Sequence, residues 1–389
     1  MGASAAYSVG GLRLACRSRL PKCLADFYEG GAEDEITLGA NAAQFSGATL
    51  WPRVLQGMEA PQLARSLFGA TLALPFGIAP MGALGFGWHQ ADIALCRAAA
   101  AADTVYTLST MATASLEDIA ATEAPHRWFQ AHLFQPRSRT HELIARARSL
   151  RYEALVVTVD LPVGGKRERD LANRFVLPFR PDARHVLDFL SRPGWLASII
   201  RHGVPRMPNL QGDGARNGLS TIGHGFDSSF DWAALRDIRA LWPGPLVLKG
   251  VLHPADARLA VQAGVDAVWV SNHGGRQLDA AVGTLEALRA VKAEVADRIP
   301  IFFDGGITRG QHILKAYALG ADFVFVGRAA LYGVCADGER GARTALSVLR
   351  EEVVRAMQLC NLQDLGQATS LSGARNSLDA QQTRAPTRP

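Results

Sequence analysis

No stretch of the 389-residue chain reaches 18 uninterrupted apolar residues, so it offers no candidate for a membrane-spanning helix. Cysteine is scarce: Cys16, Cys23, Cys96, Cys335 and Cys360 form no Cys-x-x-Cys and no cluster with histidine. That pattern speaks against structural zinc, any other metal centre and a disulfide framework, and for a reducing compartment. Basic residues never form a run of five or six, and the formal net charge is only +5, so no nucleic-acid partner is expected. Arg13, Arg17 and Arg19 interrupt the apolar residues of the N-terminus, which removes the pattern of a secretory leader and makes a cytoplasmic location the default expectation. A Gly-x-Gly-x-x-Gly turn is missing after the first candidate strand, which weighs against a doubly wound dinucleotide-binding sheet.

What the chain has is alternation. Strand-like runs at Leu72–Ala79, Val105–Ser109, Arg127–His132, Ala154–Asp160, Pro245–Lys249, Ala267–Ser271, Ile299–Asp304 and Phe323–Gly327 are separated mostly by helical stretches. Among these, Ala91–Ala102 is alanine-rich and Ser138–Leu150 carries Leu143, Ile144 and Ala147 at helical spacing. Pro254–Ala263 opens on a proline, with Asp256 in its first turn where the helix dipole favours a negative charge. Eight strands with crossovers predict an α/β fold, a (β/α)8 TIM barrel. Residues 1–70 form an N-terminal helical capping segment with a helix over Leu20–Tyr28, and 71–370 the barrel. Residues 178–230 form a long insertion or lid after strand 4, and 371–389 a disordered tail.

In such barrels the reacting groups sit where strands end. The first candidate strand ends at Pro80-Met81-Gly82, the second at Ser109, the third at Gln130 and His132, the fourth at Thr158 and Asp160. The fifth ends at Lys249, the sixth at Ser271 and His273, the seventh at Asp304-Gly305-Gly306 and the eighth at Gly327-Arg328. His273 and Arg276 place a titratable imidazole three residues from a fixed cation on a glycine-loosened turn. A base and a bidentate anion clamp together suit removal of hydrogen from a small acid. Alone, such a pair would read as a solvated strand end. Asp160 facing His273 would orient the ring and stabilise its protonated form. Arg167, on the next loop, could reach an acid substrate. Lys249 needs an anionic partner, whether a carboxylate, a Schiff-base carbonyl or a reduced cofactor. The glycines after strands seven and eight, with Arg328, suit a phosphate-bearing cofactor.

These residues carry a resemblance. Leu20-Pro21-Lys22, Gly31-Ala32-Glu33-Asp34, Ile78-Ala79-Pro80, Asn173-Arg174-Phe175, Leu248-Lys249-Gly250-Val251, Ser271 through Asp279 and Asp304-Gly305-Gly306 resemble the FMN-dependent α-hydroxy-acid oxidases and dehydrogenases. The likeness runs from about Leu20 to about Leu365. It implies FMN resting on Pro80, Met81 and Gly82, with Ser109, Gln130 and Thr158 on the polar edge of its ring. Lys249 would lie near flavin N1/O2, Ser271 beside the cofactor, and Asp304, Gly305, Gly306, Gly327 and Arg328 around the ribityl phosphate. His273 would be the base, Asp160 its partner, and Arg276 and Arg167 the substrate-carboxylate clamp. The implied reaction takes an L-2-hydroxy acid to the 2-keto acid, with a quinone, another carrier or oxygen as acceptor. Relatives imply a homo-oligomer, a tetramer by analogy.

The chain also departs from the family. Phe27 and His132 stand where substrate-binding tyrosines are usual, Met111 replaces a frequent tryptophan, and Thr308 followed by Arg309 replaces an arginine on the phosphate. A lost hydroxyl donor to a charged group is worth roughly 1.5–3 kcal/mol. The expectation is therefore a substrate larger and more apolar than glycolate or lactate; a non-standard biosynthetic substrate and a non-catalytic flavin-binding relative are the alternatives. Gly82, where oxidases often carry alanine, resembles the dehydrogenase branch. Within 183–206, Trp195, Leu196, Ile199 and nearby arginines resemble the membrane-contacting segment of bacterial mandelate and lactate dehydrogenases, implying peripheral contact with the inner face of the cell membrane.

Overall fold

The computed structural model describes residues 6–175, 182–210 and 225–372. Most of the expected tail, and residues 178–181 and 211–224 of the expected lid, lie outside the described residues. Three helices precede the first strand, not one: α1 (Val9–Arg19), α2 (Lys22–Glu29) and α3 (Ile36–Gly47). Ser8 caps α1, accepting a hydrogen bond from the Gly11 N–H at 3.2 Å. Arg13 and Arg17 of α1 both donate to the buried Glu29 of α2, which ties the first two helices together.

A small antiparallel hairpin follows, β1 (Arg65–Leu67) and β2 (Ala70–Leu72). Leu72, expected to begin the first barrel strand, belongs to this hairpin instead. Pro75 lacks the N–H a ladder needs, so the chain bends before it and pairing restarts at β3 (Phe76–Ile78). The remaining strands are β4 (Tyr106–Ser109), β5 (Arg127–Ala131), β6 (Ala154–Thr158), β7 (Leu246–Val251), β8 (Ala267–Val270), β9 (Ile301–Phe303) and β10 (Phe323–Val326). They close in the order β10-β3-β4-β5-β6-β7-β8-β9, every neighbouring pair parallel. This is the expected (β/α)8 barrel.

The strands read as continuous apolar runs because both faces are buried. One face packs on the outer helices. The other fills the barrel with Trp128, Val156, Val247, Trp269, Phe302, Phe323 and Phe325, and Trp269 stacks on Phe325 at 3.8 Å between centroids. Leu67 and Leu72 join that interior cluster, with Phe68 packed against Trp128 and Phe302. The hairpin thus stoppers the end where the strands begin.

At the opposite end, register sets polar residues side by side: Ser109 beside Gln130, and Thr158 beside Lys249. A bulge after Lys249 is made by Gly250 at φ +101°, where a Cβ would lie 2.7 Å from the Asp160 side chain. Among the described residues, the insertion supplies two α-helices, Ala183–Leu190 and Pro193–His202.

Candidate active site

The mouth of the barrel opens into a cleft of about 610 Å³. On its floor, the segment after β8 turns back through three successive left-handed residues, His273 (φ 57°), Gly274 (φ 67°) and Gly275 (φ 76°). Such a conformation costs a histidine energy that glycine does not incur. It is held by the Ser271 hydroxyl accepting from the His273 N–H at 3.1 Å. The ring's Nδ1 lies 3.1 and 3.3 Å from the two Asp160 oxygens. Burial by itself would raise the Asp160 carboxyl, but the adjacent His273, its hydrogen bond and Lys249 outweigh it and hold the carboxyl below its ordinary value. An ionised Asp160 fixes the proton on Nδ1 and leaves Nε2 as the basic nitrogen.

Lys249 finds the anion it needs. Its Nζ lies 2.9 Å from Asp304 Oδ2 and donates to Ser271 Oγ at 2.8 Å, while Ser271 donates to Asp304 Oδ1 at 2.6 Å. Ser271 is fully buried beneath the cleft, where it serves Lys249, Asp304 and His273 together.

Above this triad the walls are unsatisfied. Ser109 donates to Gln130 Oε1 at 3.0 Å, which turns the Gln130 Nε2 away without a partner. Thr158 Oγ1 and His132 Nδ1 are likewise buried and unpaired. Buried polar groups are normally satisfied, and Gln130 and Thr158 line the cleft on neighbouring strands together with Lys249. This donor set fits the polar edge of a planar heterocycle. Pro80, Met81 and Gly82 line the same cleft. Burial drives the His132 pKa down to about 3, so that ring is neutral.

Gly305 (φ 109°), Gly306 (φ 74°), Thr308, Gly327 and Arg328 form the cleft's far end. Gly306 also permits a close approach, since a Cβ there would lie 2.7 Å from the Asn41 carbonyl. Arg328 donates to the carbonyls of Tyr28, Gly30 and Gly274. Arg309 is not part of this end: it pairs with Glu352 at 2.8 Å and does not line the cleft. Its neighbour Thr308 lines the cleft, while Arg309 stands at the N-terminal cap position of the next helix, Gly310–Ala318, without a side-chain cap bond.

Arg276 donates to the carbonyls of Phe27 at 2.8 Å and Gly30 at 2.7 Å. Burial and the nearby cations Arg167 and Arg328 push its pKa down, an arrangement that an anionic ligand would relieve. Arg167 pairs with Asp170 at 3.2 Å. The Phe27 ring lies 5.2 Å from the Arg276 guanidinium and 5.4 Å from that of Arg167, so both guanidiniums rest on one aromatic ring. Met111 packs beside Gly82, where a Cβ would approach the Met111 Cβ to 2.7 Å.

The apolar wall of the cleft was not anticipated. Leu161, Val163, Leu171, Phe175, Met207 and Phe226 line it; Leu171 lies on the short helix Glu168–Ala172 and the others outside the helices and strands, without periodicity. Asp170, the partner of Arg167, and Asn41, behind the His273 loop, also lacked a signal; only their partners' motifs were legible.

The insertion also differs in orientation from expectation. Trp195 is buried, donating from Nε1 to the Phe86 carbonyl at 2.7 Å, and Leu196 and Ile199 are half-buried against the core. An indole N–H that finds a carbonyl inside the protein favours this inward position. The exposed apolar side chains are Val186, Leu187, Leu190, Ile200 and Val204. Among the described residues, no helix is long and apolar enough to cross a membrane.

Known proteins share this arrangement. The FMN-dependent dehydrogenase family matches residues 16–372. The (S)-mandelate dehydrogenase of Pseudomonas putida is 37% identical over 369 residues, covering 94% of this chain and 92% of that protein. An L-lactate dehydrogenase of Pseudomonas aeruginosa is 36% identical over 364 residues, covering 92% and 95%. The crystal structure of the monotopic membrane protein (S)-mandelate dehydrogenase superposes with a TM-score of 0.89 at 36% identity, covering 95% of this chain and 98% of that one. A mandelate oxidase structure does so at 0.81 and 34% identity, covering 94% and 97%. With a family match across nearly the whole chain and a cleft whose unpaired donors suit a flavin, the protein belongs to the FMN-dependent dehydrogenases, oxidoreductases that act on CH–OH groups.

Proposed function

We propose that the protein oxidises an L-2-hydroxy acid with a bulky apolar side chain to the 2-keto acid and passes the electrons to a quinone or another carrier in preference to oxygen. The observation that carries this reading is the convergence of His273, backed by Asp160, with Arg276 and Arg167 in one cleft. The two guanidiniums bind the substrate carboxylate. His273 Nε2 takes a proton from the substrate, and Asp160 stabilises the resulting imidazolium. FMN, when bound, would accept the two electrons together with the substrate's second hydrogen. Gln130, Thr158, Lys249 and Ser109 would hold its ring, Pro80, Met81 and Gly82 would support it, and Asp304, Gly305, Gly306, Thr308, Gly327 and Arg328 would surround its ribityl phosphate.

The substrate class follows from the apolar residues that line the same cleft. Leu161, Val163, Met207 and Phe226 give an apolar side chain a place to bury. Phe27 supplies no hydroxyl to the carboxylate, and the neutral His132 supplies a ring nitrogen where a phenol is usual, so recognition leans on apolar contact. Relatives named for mandelate support an aryl substituent. Gly82 supports the dehydrogenase branch. The exposed Leu187, Leu190, Ile200 and Val204 support peripheral attachment at the inner face of a cell membrane, where a quinone would be met. A homo-oligomer, with a tetramer by analogy, completes the proposal.

Anaerobic mixing with a panel of 2-hydroxy acids, followed by bleaching of the yellow flavin, tests the substrate. Mandelate and other bulky acids are expected to bleach it faster than glycolate or lactate; the reverse order overturns the substrate class. Reoxidation of the reduced protein by a soluble quinone analogue is expected to outpace reoxidation by air. A faster reaction with oxygen overturns the acceptor.

A further inference from the structure

We infer that Asn41, on a helix outside the barrel, is the positioning residue for the His273 loop. The inference rests on the reading of His273 as the base. Asn41 and Asn272 are both buried and form a reciprocal amide pair, each Nδ2 donating to the other's Oδ1 at 2.8 Å. The two residues are 231 positions apart, so α3 is fastened across the fold to the residue preceding the base. Asn272 Oδ1 also accepts from the Gly275 N–H at 3.2 Å, which spans the three left-handed residues and closes the turn that presents His273. Asn41 Oδ1 in turn accepts from the Thr284 N–H at 3.2 Å, on the far side of the loop.

The rest of α3 keeps this pair in register. Asp279 accepts from the first N–H groups of the helix, Ile36 at 3.2 Å and Thr37 at 2.9 Å, where the dipole favours a carboxylate. Thr37 Oγ1 accepts from the Ala281 N–H at 2.9 Å. Gly275 fits only because it has no side chain: a Cβ would lie 2.6 Å from the Leu38 nitrogen. The Asn41 carbonyl abuts Gly306 as well, so one turn of helix braces both the base-bearing loop and a glycine of the cofactor's phosphate end. A non-glycine residue at φ 57° relaxes unless its surroundings over-determine it. The amide pair holds the residue before His273 from outside the loop, while Arg328 and the Ala32 N–H hold the Gly274 and Gly275 carbonyls after it. Removing the pair lets His273 drift, and a displacement near 1 Å in a reacting group can cost about 10²-fold in rate.

The experiment uses the FMN-loaded full chain with Asn41→Ala, and Asn41→Asp as a size-matched second variant that keeps the accepting oxygen but turns the donating nitrogen into a second, charged acceptor. His273→Asn is the control for the underlying reading. Flavin occupancy, thermal midpoint, the dissociation constant of phenylacetate (an acid without the reacting hydroxyl), the anaerobic rate of flavin reduction by mandelate and its α-deuterium isotope effect are read for each. The expected result is a fall of about 10- to 100-fold in the reduction rate for Asn41→Ala, with a larger isotope effect, phenylacetate affinity within threefold of the parent and unchanged quinone reoxidation. Asn41→Asp is expected to fall between this variant and the parent. A reduction rate and isotope effect like the parent's in either folded variant overturns the inference, as does a loss confined to flavin occupancy or thermal midpoint. If His273→Asn still reduces at the parental rate, it is the assignment of the base that fails.

Discussion

At the scale of single residues, the cleft is governed by which charges are neutralised and which are left waiting. Lys249 and Asp304 neutralise each other at 2.9 Å, both nearly buried. Lys249→Met leaves the Asp304 carboxylate with only a hydroxyl donor, and losing one partner of a buried pair costs about 3–5 kcal/mol. Denaturant unfolding of the FMN-loaded protein is expected to show that loss, and Lys249→Met combined with Asp304→Asn to recover most of it. His132 behaves oppositely, since it is buried neutral, its pKa lowered to about 3 by burial and then by His273. The unfolded chain takes up a proton there near pH 6.5 and the native state does not, so stability present above that pH is lost as pH falls toward 3. The share of His132 amounts to about 2 kcal/mol between pH 7 and pH 5. Stability measured at those two pH values is expected to differ by that much less in His132→Gln than in the parent; an equal dependence removes the assignment.

The residues with chemistry were the legible part. His273, Arg276, Asp160 and Lys249 stand in dense local motifs at strand ends, where apolar runs stop and polar atoms must face the mouth. Asn41 was not legible, because an asparagine inside a helix reads as a surface residue until its partner across the chain is known. Arg309 was misplaced for a related reason: sequence cannot say which of two adjacent side chains, Thr308 or Arg309, turns inward.

At the scale of elements, barrel strands were readable because burial on both faces leaves a continuous apolar signature. The hairpin was not, since β2 ends in a leucine and only Ala73, Leu74 and Pro75 separate it from the first barrel strand. The insertion shows a further limit. Its helices have apolar residues on more than one side, and composition does not say which side meets the protein. With Trp195 anchored inside and Leu187, Leu190 and Ile200 outside, the expected outcomes separate. Leu187→Ser with Leu190→Ser and Ile200→Ser abolishes co-sedimentation with vesicles containing anionic lipid while flavin content and activity on mandelate persist. Trp195→Ala instead lowers the thermal midpoint. Unchanged sedimentation of the triple variant removes the membrane-contact proposal.

For the molecule as a whole, the family architecture was readable from eight strand ends in series, and the apolar wall of the cleft was not, because most of its residues come from irregular segments. The stopper formed by Leu67, Phe68 and Leu72 has a consequence for traffic. A barrel plugged with aromatic rings at one pole offers no back door, so among the described residues fuel and oxidant must come and go through a single vestibule. Under the proposed function, hydroxy acid and quinone therefore take turns. Steady-state velocities measured against both reactants are expected to give parallel double-reciprocal lines, and the keto acid to compete with the quinone for the vacated doorway.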